Sequence, residues 1–239
     1  MEPTRESLKV KLFADGADLA GMIEMASEPF ISGLTTNPTL MRKAGITDYA
    51  NFAKEVLGHI KNKPISFEVF SDDLEDMKRQ GTEIASWADN VYVKIPVTNS
   101  EGESTNSVIK FLTSRSVKVN VTAIMTLEQV ENVAAVLKTD VPSYVSVFAG
   151  RIADTGRNPL PIMEESLKLL KTNSSAELIW ASPRELLNVF QANEIGCDII
   201  TATNDILKKL DLINYDLAKY SLDTVKMFFN DAKASKFSI

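Results

Sequence analysis

The side chain that first invites chemistry is Lys94, in the stretch Asp89-Asn90-Val91-Tyr92-Val93-Lys94-Ile95-Pro96-Val97-Thr98. Strand alternation puts Val91, Val93 and Ile95 on one face, and Tyr92 and Lys94 on the other. Pro96 has no N–H to donate and is expected to stop the ladder. A lysine at the end of an apolar strand has two uses. It pairs with a carboxylate or snorkels to water, which is the commoner case. Alternatively, burial lowers its pKa until the neutral amine attacks a carbonyl carbon and forms a Schiff base. The residues gathered around it decide between the two.

Polar residues stand at the ends of the other apolar runs. The first ends at Asp15, and the second at Thr35, Thr36 and Asn37. The third carries Glu68. The fifth carries Asn120 and Thr122, two apart and so on one face. The sixth carries Ser146 and Phe148 on one face, with Arg151 just beyond. The seventh ends at Ser182 with Arg184 two residues on, and the eighth offers Thr201 and Thr203. Taken singly, each has a plain role: Thr, Ser and Asn cap helices and close turns. Asp15 can cap the first helix, and Arg184 can sit on a solvated helix start. Together they suit chemistry. A buried lysine beside Glu68 and Asp15 is a mutually tuned set. Two arginines and a serine suit a phosphate or a similar anion.

Positioning these residues requires a regular frame. Eight apolar runs read as strands: Lys9–Phe13, Phe30–Leu34, Ile65–Phe70, Asn90–Ile95, Val117–Val121, Tyr144–Ala149, Glu177–Ala181 and Asp198–Ala202. Helical patterns alternate with them. Asp18 caps a helix through about Ala26. Phe52, Val56 and Ile60 recur every four residues within Tyr49–Ile60. Further helices cover Asp72–Trp87, Thr105–Thr113 and the segment that Thr126 caps. A loop over Gly150–Asn158 leads to a helix at Pro161–Lys171. Pro183 suits the first turn of a helix over Arg184–Ala192. Asn204 caps a helix through Leu210, and a last helix spans about 217–232. This alternation predicts one (β/α)8 barrel domain over residues 1–239 with a C-terminal helical tail, its chemistry at the C-terminal strand ends. An open doubly wound sheet is the rival, but it has roughly five or six strands. No Gly-x-Gly-x-x-Gly or phosphate-loop motif follows a strand.

Composition narrows the classes. The chain has 239 residues, 44% hydrophobic and 24% charged, with a net charge of −6. No basic run suggests nucleic acid, and no apolar run nears the roughly 18 residues of a membrane span. Met1–Glu6 lacks the apolar core of a signal peptide, so a cytoplasmic protein is expected. One cysteine and one histidine leave no disulfide and no zinc cluster to expect. The chemistry then falls to Lys, Asp, Glu, Ser, Thr or Asn. Cys197 reads as a small core residue, and His59 as a solvated helix-end residue. Met22, Met25, Met77 and Met227 read as core or interface. Met227-Phe228-Phe229 makes the tail strongly apolar, a patch that usually finds a partner surface.

The motifs Leu12-Phe13-Ala14-Asp15, Gly33-Leu34-Thr35-Thr36-Asn37-Pro38, Val91-Tyr92-Val93-Lys94-Ile95-Pro96-Val97-Thr98, Asn120-Val121-Thr122, Gly150-Arg151-Ile152 and Ala181-Ser182-Pro183-Arg184 occur in order over roughly positions 10–205. In this the chain resembles the transaldolases, in the short subgroup that also contains fructose-6-phosphate aldolases. The resemblance implies a barrel without metal or organic cofactor, acting on sugar phosphates. Lys94 is then the Schiff-base nucleophile and Asp15 the base at the carbon–carbon cleavage. Glu68 and Thr122 hold the water that relays protons. Asn37, Asn120 and Ser146 bind the donor hydroxyls, Thr35 and Phe148 line the site, and Arg151, Ser182 and Arg184 hold the phosphate. The aldolase branch resembles a pattern with glutamine at position 68 and tyrosine at 148; Glu68 and Phe148 are the transaldolase choice. Short relatives assemble as rings through the tail, so a homo-oligomer, pentamer or decamer, is expected. Other readings stay open. They are an aldolase that releases dihydroxyacetone, a transaldolase for a sulfonated or other modified sugar, and a barrel that only binds a sugar phosphate.

Overall fold

The computed structural model describes residues 4–235. Eight parallel strands close into a barrel in sequence order: β1 (Lys11–Asp15), β2 (Ile31–Thr35), β3 (Ile65–Glu68), β4 (Val91–Pro96), β5 (Val119–Ile124), β6 (Ser143–Val147), β7 (Glu177–Trp180) and β8 (Ile199–Thr203). Their side chains are buried on both faces, as parallel strands under a shell of helices must be. The helices are α1 (Leu19–Ser27), α2 (Pro38–Lys43), α3 (Tyr49–His59), α4 (Leu74–Ala85), α5 (Asn106–Thr113), α6 (Leu127–Ala134), α7 (Ala149–Asp154), α8 (Leu160–Asn173), α9 (Leu187–Glu194), α10 (Asn204–Leu207) and α11 (Leu217–Ala234). Asp18, Asp48, Asp73, Thr126 and Asp216 each accept a backbone N–H of the first turn, so the sequence itself marks where those helices begin.

The barrel interior is plugged below the mouth. The rings of Tyr92 and Tyr144 stack with centroids 4.1 Å apart and planes 9° apart. Phe13 meets Tyr144 edge-on at 5.7 Å. Ile179, Ala181 and Ile199 complete this inner cluster. Gly33 makes room for it, since a Cβ there would come within 2.5 Å of the Phe13 ring. Below, Lys11 pairs with Glu177. The polar residues above this plug therefore face the C-terminal mouth.

Four local expectations are corrected. Pro96 does not stop the ladder: it lies within β4 and is the register partner of Thr122. Val93 and Val97 donate toward β5, while the Lys94 carbonyl serves Val69 on the β3 side. The N–H that proline lacks thus falls on the β3 side, past the last residue of β3. The Gly150–Asn158 loop is partly helix, because α7 starts directly after β6. Arg184 does not begin a helix: α9 starts at Leu187, after Ser182 turns the chain in left-handed backbone (φ 59°). Asn188 then reaches back to accept the N–H groups of Arg184 (2.8 Å) and Glu185 (3.2 Å). Asn204 is the first residue of α10 rather than its cap, and the helix gives way at Lys208 to a 3-10 turn.

The last helix follows the expected span closely. None of its residues is buried, and Leu217, Tyr220, Leu222, Val225, Met227, Phe228 and Phe229 are all exposed. His59 ends α3, exposed. Met22, Met25 and Met77 are core, as is Cys197, whose thiol burial pushes up to about 12. No described helix is long and apolar enough to cross a membrane.

Candidate active site

At the mouth lies a cavity of about 610 Å³, and its floor is Lys94. Strand β4 delivers this residue with Val93 and Ile95 packed on the outer side, so the amine can only point inward. The lysine is 6% exposed. Its Nζ donates to the Thr36 carbonyl at 2.9 Å and lies 3.3 Å from Glu68 Oε2. Glu68 is the register partner of Lys94 on β3, so the pair is fixed by the sheet rather than by flexible stems. Tyr49, packed among Phe67, Phe70 and Trp87, donates its hydroxyl to the Glu68 carbonyl at 2.8 Å and anchors the end of β3.

Asp15 ends β1 opposite Thr35. It accepts from Thr35 Oγ1 at 2.8 Å, and Asn37 Nδ2 stands 3.4 Å from its other oxygen. Burial raises its pKa above the usual carboxylate range. The Lys94 charge and the bonds from Thr35 and Asn37 pull the other way without cancelling that effect. Asn37 serves twice, because its Oδ1 also caps α2 by accepting from Leu40 at 3.0 Å.

On the far side, Thr122 lines the cavity with a buried hydroxyl that has no partner among the described residues. An unpaired buried hydroxyl costs about 1–3 kcal/mol unless something arrives to bond it. The next residue, Ala123, has φ 63°, at an irregularity in the β5–β6 register. Asn120 does not line the cavity. It is fully buried as the β5 register partner of Lys94, accepts from Ser146 Oγ at 2.7 Å and donates to Ser66 Oγ at 3.0 Å. Its structural effect is to orient Ser146, which does face the cavity.

Phe148, the first residue past β6, lines the cavity and packs on the inner aromatic cluster. Arg151 follows on α7, exposed and with no ion pair among the described residues. Ser182 and Arg184 come from the turn after β7. Arg184 is held on one edge by both oxygens of Asp154: Nε donates to Oδ1 at 3.0 Å, and Nη2 to Oδ2. Gly150 lets the two segments meet, since a Cβ there would sit 1.5 Å from the Ser182 carbonyl oxygen.

The structure thus brings Lys94, Asp15, Glu68, Thr122, Thr35, Asn37, Ser146, Phe148, Arg151, Ser182 and Arg184 around one cavity, with Asn120 bonded to Ser146 behind them. Sequence reading missed Ser66, Asp154 and the carbonyl of Thr36. No sequence signal marks a carbonyl, and Ser66 looks like any small strand residue. Asp154 falls in a segment that reads as loop, and its partner Arg184 lies 30 residues on, so no local pattern marks it.

The architecture is a (β/α)8 barrel whose mouth holds a buried lysine and two carboxylates. The chain matches the sequence profile of the Transaldolase/Fructose-6-phosphate aldolase family over residues 12–239 and belongs to that family. It is 32% identical over 218 residues to a probable transaldolase of Methanococcus maripaludis (strain C5 / ATCC BAA-1333), covering 90% of this chain and 97% of that protein. It is 34% identical over 218 residues to a probable transaldolase of Thermoanaerobacter sp. (strain X514), covering 91% and 95%. The fold alone is shared with an HpcH/Hpal aldolase/citrate lyase family protein from Burkholderia cenocepacia J2315, with TM-score 0.58, 13% identity, and 93% and 98% coverage. Family membership makes the chain an enzyme of the aldolase or transferase type.

Proposed function

We propose that the chain is a transaldolase that moves a dihydroxyacetone unit from a ketose phosphate, such as fructose 6-phosphate or sedoheptulose 7-phosphate, to an aldose phosphate. The observation that carries the reading is the buried Lys94 amine, set beside Glu68 at 3.3 Å under an open cavity that also receives Asp15. Lys94 Nζ attacks the ketone carbon, and the carbinolamine loses water to give an iminium ion. Glu68 and the unpaired Thr122 hydroxyl manage the protons of that water. Asp15 takes the hydrogen of the hydroxyl next to the breaking bond, the aldehyde leaves, and the electron pair enters an enamine on Lys94. Asn37 and Ser146 bind donor hydroxyls, with Asn120 setting Ser146. Arg151, Ser182 and Arg184 take the phosphate at the rim. No step needs a metal or an organic cofactor. We further propose a cytoplasmic enzyme of pentose phosphate metabolism that forms a ring-like homo-oligomer through the exposed apolar face of α11.

Phe148 favours transfer over release, because a phenyl ring offers the enamine no proton and keeps water from it. In the unchanged enzyme, free dihydroxyacetone should be a minor product at saturating acceptor. Phe148→Tyr puts a hydroxyl in the same space and should raise the released share. The test is the ratio of free dihydroxyacetone to transferred product. A ratio as high in the unchanged chain as in Phe148→Tyr would favour an aldolase instead.

The rim predicts a separate phenotype. Gly150→Ala forces the Ser182–Arg184 turn away from α7. Such overpacking should cost about 1–3 kcal/mol in thermal unfolding. KM for a phosphorylated donor should rise about tenfold, while unphosphorylated dihydroxyacetone is used as before. Equal losses on both donors, measured by steady-state kinetics, would detach this rim from anion binding.

A further inference from the structure

Beside Asp15 runs a hydrogen-bond chain whose direction follows from counting hydrogens. Thr35 Oγ1 lies 2.8 Å from Asp15 Oδ1 and 2.6 Å from Thr201 Oγ1. Thr35 has one hydroxyl hydrogen, and an ionised carboxylate only accepts, so that hydrogen is committed to Asp15. The Thr35–Thr201 contact must then use the hydrogen of Thr201. Both threonines are buried, and the Thr201 hydroxyl has no other hydrogen-bond partner among the described residues. Thr201 lies on β8, two residues before Thr203, the register partner of Asp15.

We infer that Thr201 is a positioning residue for the base: through Thr35 it fixes Asp15 Oδ1 as an acceptor and leaves Oδ2 to take the substrate proton. The inference rests on the base role proposed for Asp15. Among the described residues Oδ2 is held only by the long 3.4 Å contact from Asn37, so it is the freer oxygen. In the cleavage step the donor O–H bond breaks and its proton goes to Oδ2. The O–H electron pair becomes the aldehyde C=O, the C–C pair forms the enamine C=C, and the iminium π pair returns to nitrogen. Asp15 Oδ1 is then the carbonyl oxygen of a neutral acid and still accepts from Thr35. A proton on Oδ1 would instead be donated to Thr35 Oγ1, and one of the two threonine hydrogens would lose its acceptor within the chain.

The charge that faces Asp15 is Lys94, from β4. The flanking strands β2 and β8 contain no ionisable residue. From α10, Asp205 lines the same cavity, and on the α1 side Asp18 is engaged in its cap with Gly21. The bond from Thr35 is among the influences that hold Asp15 down against its burial. Loss of the Thr201 donor weakens that bond, so the acid limb of activity should move to higher pH.

The test is the pH dependence of kcat/KM for donor cleavage. Thr201→Val keeps the branched shape and removes the hydroxyl. Its acid limb should rise by about half a pH unit or more, and Thr201→Ser should bring the limb back. If Thr201→Val does not fold, Thr201→Ala supplies the same comparison. An unmoved limb in the Val or Ala variant, or a Ser variant displaced as far, would overturn the inference while the Lys94 adduct still forms. Absence of that adduct in the unchanged chain would remove the base role, and the inference with it.

Discussion

Lys94→Met should fold and should lose donor turnover by about 10⁴-fold or more, as happens when a covalent nucleophile is removed. Methionine fills nearly the same volume on an unbranched stem, and the outer face of β4, with Val93 and Ile95, is untouched. The change also removes the ammonium that faces Glu68 at 3.3 Å and donates to Thr36 at 2.9 Å. Glu68 is then left without that partner, but it borders the cavity, where water can reach it. Thermal unfolding should therefore change little beside the catalytic loss. A charge clamp that only binds predicts a different pattern: weaker donor binding, with residual turnover that rises as donor is added. Turnover near that of the unchanged chain, in a folded variant, would remove Lys94 from the chemistry.

Asp15→Asn should lower cleavage by about 10²–10⁴-fold, the range for loss of a general base. Asparagine keeps an oxygen for the Thr35 donor, so the network that positions residue 15 survives. Schiff-base formation is left to Lys94, Glu68 and Thr122 and should continue. The variant should therefore accumulate the intact donor on Lys94. Borohydride should trap a six-carbon adduct from fructose 6-phosphate, where the unchanged enzyme yields a three-carbon one. The pH profile supplies a second readout. Burial raises Asp15 above the ordinary carboxylate range, so in the unchanged enzyme activity should fall as pH drops through that raised value, where the base becomes protonated. That limb should be missing in Asp15→Asn. A three-carbon adduct formed at the unchanged rate would assign the base to another residue.

The barrel was legible because each strand is a short apolar run and the helix starts carry their own caps. Asp18 and Thr126 fall where the sequence puts them, and the tail helix ends two residues beyond the expected 232, at Ala234. The place of the candidate site was legible where a residue type is costly at its position. A lysine among Val91, Val93 and Ile95 stands out, and the carboxylate of Glu68 on the neighbouring strand is its register partner. What escaped is what local pattern cannot encode. Pro96 reads as a breaker, yet it stays in β4 because β3 ends before it. The segment 150–158, with Gly150 and Gly156, reads as loop, which hid α7 and with it Asp154. Pro183 suggests a helix start, yet Ser182 turns left-handed and Asn188 takes the Arg184 N–H instead. Thr35 and Thr201 stand out as strand-end residues, but their shared hydrogen bond spans 166 positions of sequence and has no local signal. Asn120 was expected to touch the substrate; its bonds to Ser66 and Ser146 depend on strands β3 and β6 of the closed barrel, which no local pattern gives.

The central claim is that Lys94 carries the donor fragment covalently. The most direct measurement is incubation of the unchanged enzyme with fructose 6-phosphate and borohydride, followed by intact mass and peptide mapping. The account predicts a single reduced dihydroxyacetone adduct of three carbons, located on Lys94 and absent from Lys94→Met. No adduct, or an adduct on a different lysine, would contradict it.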